Sequence, residues 1–184
     1  ISTDCVFSGD NGPYNISDIK DAKTTYGKTK SLGEIYDNNN LTIRTSVVGP
    51  DLKKNGKELF NWFMNQSGRV NGFSKSIWSG VTTLELARCI EKSIINNSVG
   101  IKHLSSKKSI SKYDLLSIIK NYLPHTTYLN KIDGPITNKV LINRKNSIYS
   151  VDKSYKKLIE EMIIDIMKNG QYAHYKFNKK LKLS

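Results

Sequence analysis

Short β-type runs alternate along this chain with stretches whose apolar residues recur at helical spacing, and that alternation restricts it to an α/β architecture. The clearest helical stretch is residues 82–96, where Leu84, Ala87, Ile90, Ile94 and Ile95 share a stripe. Residues 57–66 turn Leu59, Phe60 and Phe63 to one side, and residues 154–168 make a further helix. Ser111-Lys112-Tyr113-Asp114 reads as a capping box that opens a helix reaching Tyr122. A helix over residues 24–36 is stopped by Asn38-Asn39-Asn40. Strands are expected to end within residues 1–4 and to occupy 41–46, 70–73, 101–105, 127–132 and 140–143. Residues 5–23 form a loop with Gly9, Gly12 and Pro13 as turn makers. Beyond Gly170 the sequence reads as a poorly ordered basic tail.

With 184 residues, 38% of them hydrophobic, the chain can bury one domain core. No run approaches the ~20 apolar residues of a membrane helix and no signal peptide is visible, so the expectation is a cytoplasmic protein with no membrane partner. Cys5 and Cys89 fall in a predicted strand and helix, without metal-ligand spacing, and are expected to be reduced and buried. His103, His125 and His174 are scattered and read as structural, which leaves no metal site. The net charge of +13 comes mostly from lysines spread along the chain. There is no recognition-helix, zinc or RNA-binding signature, and arginine is scarce, so nucleic acid is not the expected partner. A phosphate-bearing small molecule could use part of this charge.

Three clusters carry chemistry: Ser2-Thr3-Asp4, Tyr26-Gly27-Lys28-Thr29-Lys30 and Gly33-Glu34. Tyr26 and Lys30 are four apart, so a helix puts both on one face. An ammonium near a phenol favours the ionised form, which suits the pair to proton transfer. The bare spacing is weak, because Tyr149/Lys153, Tyr172/Lys176 and Tyr175/Lys179 repeat it. Context singles out Tyr26, which lies between a strand end at Thr3 and the run Leu41-Thr42-Ile43-Arg44-Thr45-Ser46 with its Val47-Val48-Gly49-Pro50 turn. Thr3 would otherwise be a strand-end cap, Asp4 a turn former and Lys28 a solvated lysine. Glu34 reads as a structural partner for a basic residue. Trp62 and Trp78 read as packing residues.

The order Ser-Thr-Asp-x-Val-Phe-x-Gly, Gly-Pro-Tyr, Tyr-Gly-Lys-Thr-Lys-x-x-Gly-Glu and Arg-Thr-Ser resembles the extended short-chain dehydrogenase/reductases. Within them the chain is most similar to the dTDP-4-dehydrorhamnose reductase branch, from Ile1 to about Lys120 and including the run from Trp78 to Ala87. The resemblance implies a partial Rossmann-type, doubly wound sheet with a small mixed α/β domain over the substrate. Residues 1–50 would be the C-terminal part of the NAD(P)-binding domain, 51–170 mainly the substrate-binding domain and 171–184 a basic tail. It implies reduction of a 4-keto nucleotide sugar by NADPH or NADH in surface-polysaccharide synthesis, and leaves a homodimer open.

On that resemblance Thr3, Tyr26 and Lys30 are catalytic. Tyr26, Lys30 and Ser46 would touch the cofactor, and Thr3, Asp4, Val47 and Trp78 the substrate, Trp78 from a loop. Rhamnose-type reductases commonly carry Trp where this chain has Val47, so a related nucleotide sugar is equally compatible. A nucleotide-sugar epimerase or dehydratase, or a non-catalytic regulatory subunit, are the alternatives. Asp4-Cys5 in place of the dehydratases' Asp-Glu favours a reductase.

The glycine-rich turn that holds a dinucleotide pyrophosphate at a helix N-terminus is not in these residues, and the chain opens on Ile. The expectation is a C-terminal portion of a longer protein, or a split or decayed one, that alone does not hold the cofactor.

Overall fold

Thr24, Thr82, Ser111 and Ser154 each accept a hydrogen bond from the backbone N–H three residues on, and a helix begins after each of them. The computed structural model describes residues 1–143 and 147–178. In chain order the first elements are β1 (Ser2–Thr3), α1 (Thr25–Leu32), β2 (Leu41–Thr45), β3 (Val47–Val48), α2 (Leu59–Met64) and β4 (Gly68–Phe73). Then come β5 (Ser76–Trp78), β6 (Val81–Thr82), α3 (Thr83–Ile95), β7 (Gly100–His103), β8 (Ser105–Ser106) and β9 (Ile110–Ser111). The last are α4 (Lys112–Lys120), β10 (Thr127–Ile132), β11 (Thr137–Asn138), β12 (Ser150–Val151) and α5 (Tyr155–Lys168). Single 3-10 turns occupy Asp4–Val6 and Gly170–Tyr172.

The fold is α/β, and its pairings are parallel except for β5 with β9. β2 lies between β1 and β7, setting Ser2 opposite Arg44 and Thr3 opposite Thr45, so β1 is a sheet edge. β4 pairs with β10 along its whole length, from Thr127 opposite Gly68 to Ile132 opposite Phe73. The core is built mainly by α2, α4 and α5, whose Phe60, Phe63, Leu115, Ile119, Ile159 and Ile163 are fully buried.

Several elements differ from the sequence expectation. α1 ends at Leu32 rather than near residue 36, because the chain turns at Gly33 and sends Glu34 inward to Arg44. The inward face of α3 carries Leu86, Cys89, Ile90 and Ser93, while Ile94 and Ile95 are exposed. The small Ser93 donates to Cys89 O and is hydrogen-bonded to Tyr149 Oη, which draws this face against the core. Residues 140–143 form no strand; Leu141 makes only an isolated bridge to Tyr14. Trp78 lies on β5 rather than in a loop, and is buried. Val47 and Val48, expected in a turn, pair with β6.

Residues 171–178 pack against the rest of the chain, where the sequence reads as a poorly ordered tail. Tyr172, Tyr175 and Phe177 rest on the core, and Tyr175 Oη accepts from the Asp51 N–H at 2.9 Å. Of the competing Tyr–Lys pairs, Tyr149 is buried and Lys153 is held by Glu85 and Glu161. Lys179 lies outside the described residues.

Candidate active site

β1 delivers Thr3 to the start of the 3-10 turn, where the side chain acts first as a cap. Its hydroxyl accepts from the Cys5 N–H at 3.1 Å and donates to Asp4 Oδ1 at 3.2 Å. α1 packs against this turn and against β1. The close approach depends on Gly27, which is buried, since a Cβ there would run into the Cys5 carbonyl and the Ala22 methyl. Lys30 Nζ donates to the Ile1 carbonyl at 2.6 Å, tying the next turn of the helix to the strand. α1, which carries Tyr26 and Lys30, is thereby held against the strand that ends in Thr3. Tyr26 is 58% exposed, and its hydroxyl makes no hydrogen bond among the described residues.

Beneath this arrangement Glu34 collects four donors. Arg44 binds it through Nε to Oε1 at 2.7 Å and Nη2 to Oε2 at 2.8 Å. Ser2 Oγ donates to Oε1 at 2.6 Å, and Lys20 Nζ and Tyr36 Oη donate to Oε2. Burial alone would raise the Glu34 pKa, but the bonds from Arg44, Ser2, Tyr36 and Lys20 win and push it down to about 2. Arg44 Nη1 also donates to His103 Nε2 at 3.4 Å, and His103 Nδ1 lies 3.2 Å from the Ile142 carbonyl. Burial and the Arg44 charge push the His103 pKa down to about 4. Glu34 is thus the structural partner of a basic residue, and it anchors the residue next to Thr3.

Beyond the carboxyl ends of β1 and β2 opens a cavity of about 360 Å³, lined in part by Asp4, Cys5, Ser46, Trp78, Lys112 and Lys139. A crevice in that position is where ligands bind open parallel sheets. Asp4 is 4% exposed, and burial raises its pKa against the attraction of Lys139 and Lys112. Burial lowers the Lys112 pKa in turn, opposed by the Asp4 charge. The Lys112 ammonium stands 4.7 Å over the Trp78 ring, and Lys139 Nζ donates to Cys5 Sγ at 3.5 Å. The Trp78 Nε1 proton is buried without an acceptor among the described residues.

Three of the sequence candidates, Asp4, Ser46 and Trp78, meet at this cavity; Val47 is 40% exposed and does not line it. Lys112 and Lys139 were not legible beforehand, being two lysines among many. A larger cavity of about 590 Å³, lined by Asn15, Lys102, Asn143 and Tyr149 among others, contains none of the motif residues. Cys5 and Cys89 are both free thiols; Cys89 is buried, and Cys5 is partly exposed. Among the described residues no group of three or more His, Cys, Asp or Glu side chains could hold a metal ion, and no helix is long and apolar enough to cross a membrane.

A parallel sheet with helices packed beside it defines a Rossmann-like α/β architecture. The chain belongs to the RmlD substrate binding domain family, whose model matches residues 1–157. It is 33% identical over 124 residues to the spore coat polysaccharide biosynthesis protein SpsK of Bacillus subtilis, covering 65% of this chain and 44% of that protein.

Among solved structures it is similar to a dTDP-4-dehydrorhamnose reductase from Yersinia enterocolitica, with a TM-score of 0.70 and 20% identity over 93% of this chain and 65% of that one. A dTDP-4-dehydrorhamnose reductase from Bacillus anthracis in complex with NADP matches with a TM-score of 0.65 and 20% identity, over 89% of this chain and 64% of that one. A hypothetical dTDP-4-dehydrorhamnose reductase from Sulfolobus tokodaii gives 0.65 and 24%, over 83% and 59%. At these identities the likeness shows the fold. The chain spans less than half the length of the curated relative and under two thirds of the solved ones.

Proposed function

We propose that the protein containing this chain reduces the 4-keto group of a nucleotide sugar, with NADPH or NADH as donor, for surface-polysaccharide synthesis in the cytoplasm. The observation that carries the reading is the seating of α1 by Gly27 against the Cys5 carbonyl and by Lys30 on the Ile1 carbonyl. That seating fixes the helix that carries Tyr26, whose phenol has no partner among the described residues, against the strand that ends in Thr3, which supports the reading.

The residues present fit a nicotinamide riboside. The Tyr26 phenol is open to solvent, and Ser46 faces the crevice at the end of β2. Tyr26, Lys30 and Ser46 would hold it, and when bound the nicotinamide supplies the hydride. Tyr26 gives its proton to the oxygen that becomes the new hydroxyl. Thr3, its hydroxyl proton turned from Asp4 to the substrate, donates a second hydrogen bond to the same oxygen, and Lys30 carries the positive charge that favours the phenolate left behind. Asp4 takes sugar hydroxyls in the cavity below.

A second reading, a non-catalytic binding subunit, draws on the Thr3 hydroxyl being committed to Cys5 and Asp4. Tyr26→Phe in the full-length protein separates the two. General acid catalysis typically contributes ~10²–10⁴-fold, so turnover on a panel of dTDP-4-keto-6-deoxysugars is expected to fall by at least the lower figure. Wild-type turnover would leave the binding role as the better reading.

A further inference from the structure

A third cavity, of about 380 Å³, lies between α2, the residue before β4, the turn before β10 and the segment after the second 3-10 turn. Among the described residues it shares no lining side chain with the cavity at the ends of β1 and β2. Asn61, on α2, is 1% exposed, and its Nδ2 donates to the carbonyls of Lys54, at 3.2 Å, and of Gly56. Flipping the amide would set its oxygen against those two carbonyls. Oδ1 therefore stays at the other end, buried with no donor among the described residues. His174 Nε2 is likewise buried without a partner, and its ring packs 4.3 Å from that of Tyr175. Asn61 and His174 both line this cavity. Buried polar atoms are almost always paired, so two orphans at one cavity point to a polar guest.

The rest of the lining sets the charge of that guest. Lys54, Lys176 and His125 line the cavity as exposed residues, and among the described residues no Asp or Glu does. Neither lysine forms a salt bridge among the described residues. Thr127 gives its hydroxyl proton to the Gln66 carbonyl at 3.1 Å, so His125 Nδ1, 3.4 Å from the same hydroxyl oxygen, is the donor there. That leaves His125 Nε2 for a ligand. Ser67 and Tyr175 add hydroxyl groups. Tyr175 Oη accepts from the Asp51 N–H and keeps its own proton to give.

We infer that this cavity binds a small phosphate monoester carrying hydroxyl groups, of the sugar-phosphate class, at a site separate from the active site. The two ammonium groups and the histidine N–H groups meet the phosphate oxygens in charge-assisted hydrogen bonds. An anion facing His125 Nε2 favours the protonated ring. A hydroxyl of the guest donates to Asn61 Oδ1. A bare oxyanion would turn a lone pair towards that oxygen, so phosphate alone satisfies only part of the site. The cavity volume lies within the range of small-molecule pockets.

The test is calorimetry on the full-length protein with ribose 5-phosphate, methyl phosphate and ribose as separate probes. Ribose 5-phosphate is expected to bind, and ribose not measurably. Methyl phosphate, which has no hydroxyl for Asn61, should bind about tenfold or more weakly, since a buried acceptor is left unsatisfied. Lys54→Met combined with Lys176→Met should weaken ribose 5-phosphate by about tenfold or more, as expected for lost bonds to a charged group. Both lysines are exposed, so this variant should keep the wild-type thermal midpoint. His174→Phe, which keeps a ring beside Tyr175 and removes the nitrogens, should weaken binding as well.

Absence of ribose 5-phosphate binding at millimolar concentration would overturn the inference and leave the two orphans to water. Equal affinity in the double-lysine variant and the wild type would overturn it too, and so would equal affinity for methyl phosphate and ribose 5-phosphate. Binding lost in Lys112→Met but kept in the double-lysine variant would move the anion to the active site, with the same consequence.

Discussion

Arg44 grips Glu34 through two parallel hydrogen bonds of 2.7 and 2.8 Å, and each side chain is only 1% exposed. The pair joins the centre of the sheet to the segment that ends α1, and through Ser2 it reaches the residue before Thr3. Removing one partner leaves a charge buried without compensation, which typically costs ~3–5 kcal/mol. Arg44→Met should therefore lower the thermal midpoint strongly, and Glu34→Gln somewhat less, since the amide still accepts. Thermal denaturation of both variants checks this.

Acid should act on the same pair. The folded-state pKa of Glu34 is depressed to about 2 from an ordinary 4.5. Its contribution is thus present above the unfolded pKa and is lost as pH falls from about 4.5 towards 2. His103 acts earlier. With its pKa lowered to about 4, the folded state takes up its proton less readily than the unfolded chain, so stability drops as pH falls from about 6.5 to 4. Replacing His103 with Gln should flatten the upper part of that profile and leave the lower part intact. Denaturant midpoints measured from pH 7 to pH 3 distinguish the two.

Gly27 has no room for a side chain. Gly27→Ala would press a methyl against the Cys5 carbonyl and Ala22, and overpacking of this kind costs typically 1–3 kcal/mol. Because the displaced element carries Tyr26, turnover should fall by more than the loss of stability accounts for. Comparing kcat with the folded fraction at the assay temperature shows whether it does.

Lys30 and Lys28 lie two residues apart on α1, and only Lys30 reaches β1. Lys30→Ala should lower kcat and raise the KM for NADPH, whereas Lys28→Ala, an exposed residue, should change neither by more than about twofold. Steady-state kinetics of the full-length protein with both variants test the pair.

Local chemistry decided much of this protein from sequence alone. The hydroxyl before four of the five α-helices, the period of the strands and the four-residue spacing of Tyr26 and Lys30 are effects within one or two turns of chain, where nothing distant intervenes. The α/β class follows from them, and so does the expectation that Glu34 needs a basic partner. Which partner, and which face of α3 turns inward, did not follow. Ile94 and Ile95 obey helical spacing and still face solvent, because the close packing that Ser93 and Cys89 permit governs that helix. Lys112 and Lys139 look like any of the surrounding lysines in sequence. Only the folding of α4 and the segment after β11 over the end of β1 brings both lysines to the cavity that Asp4 lines, a placement that spacing along the chain does not encode.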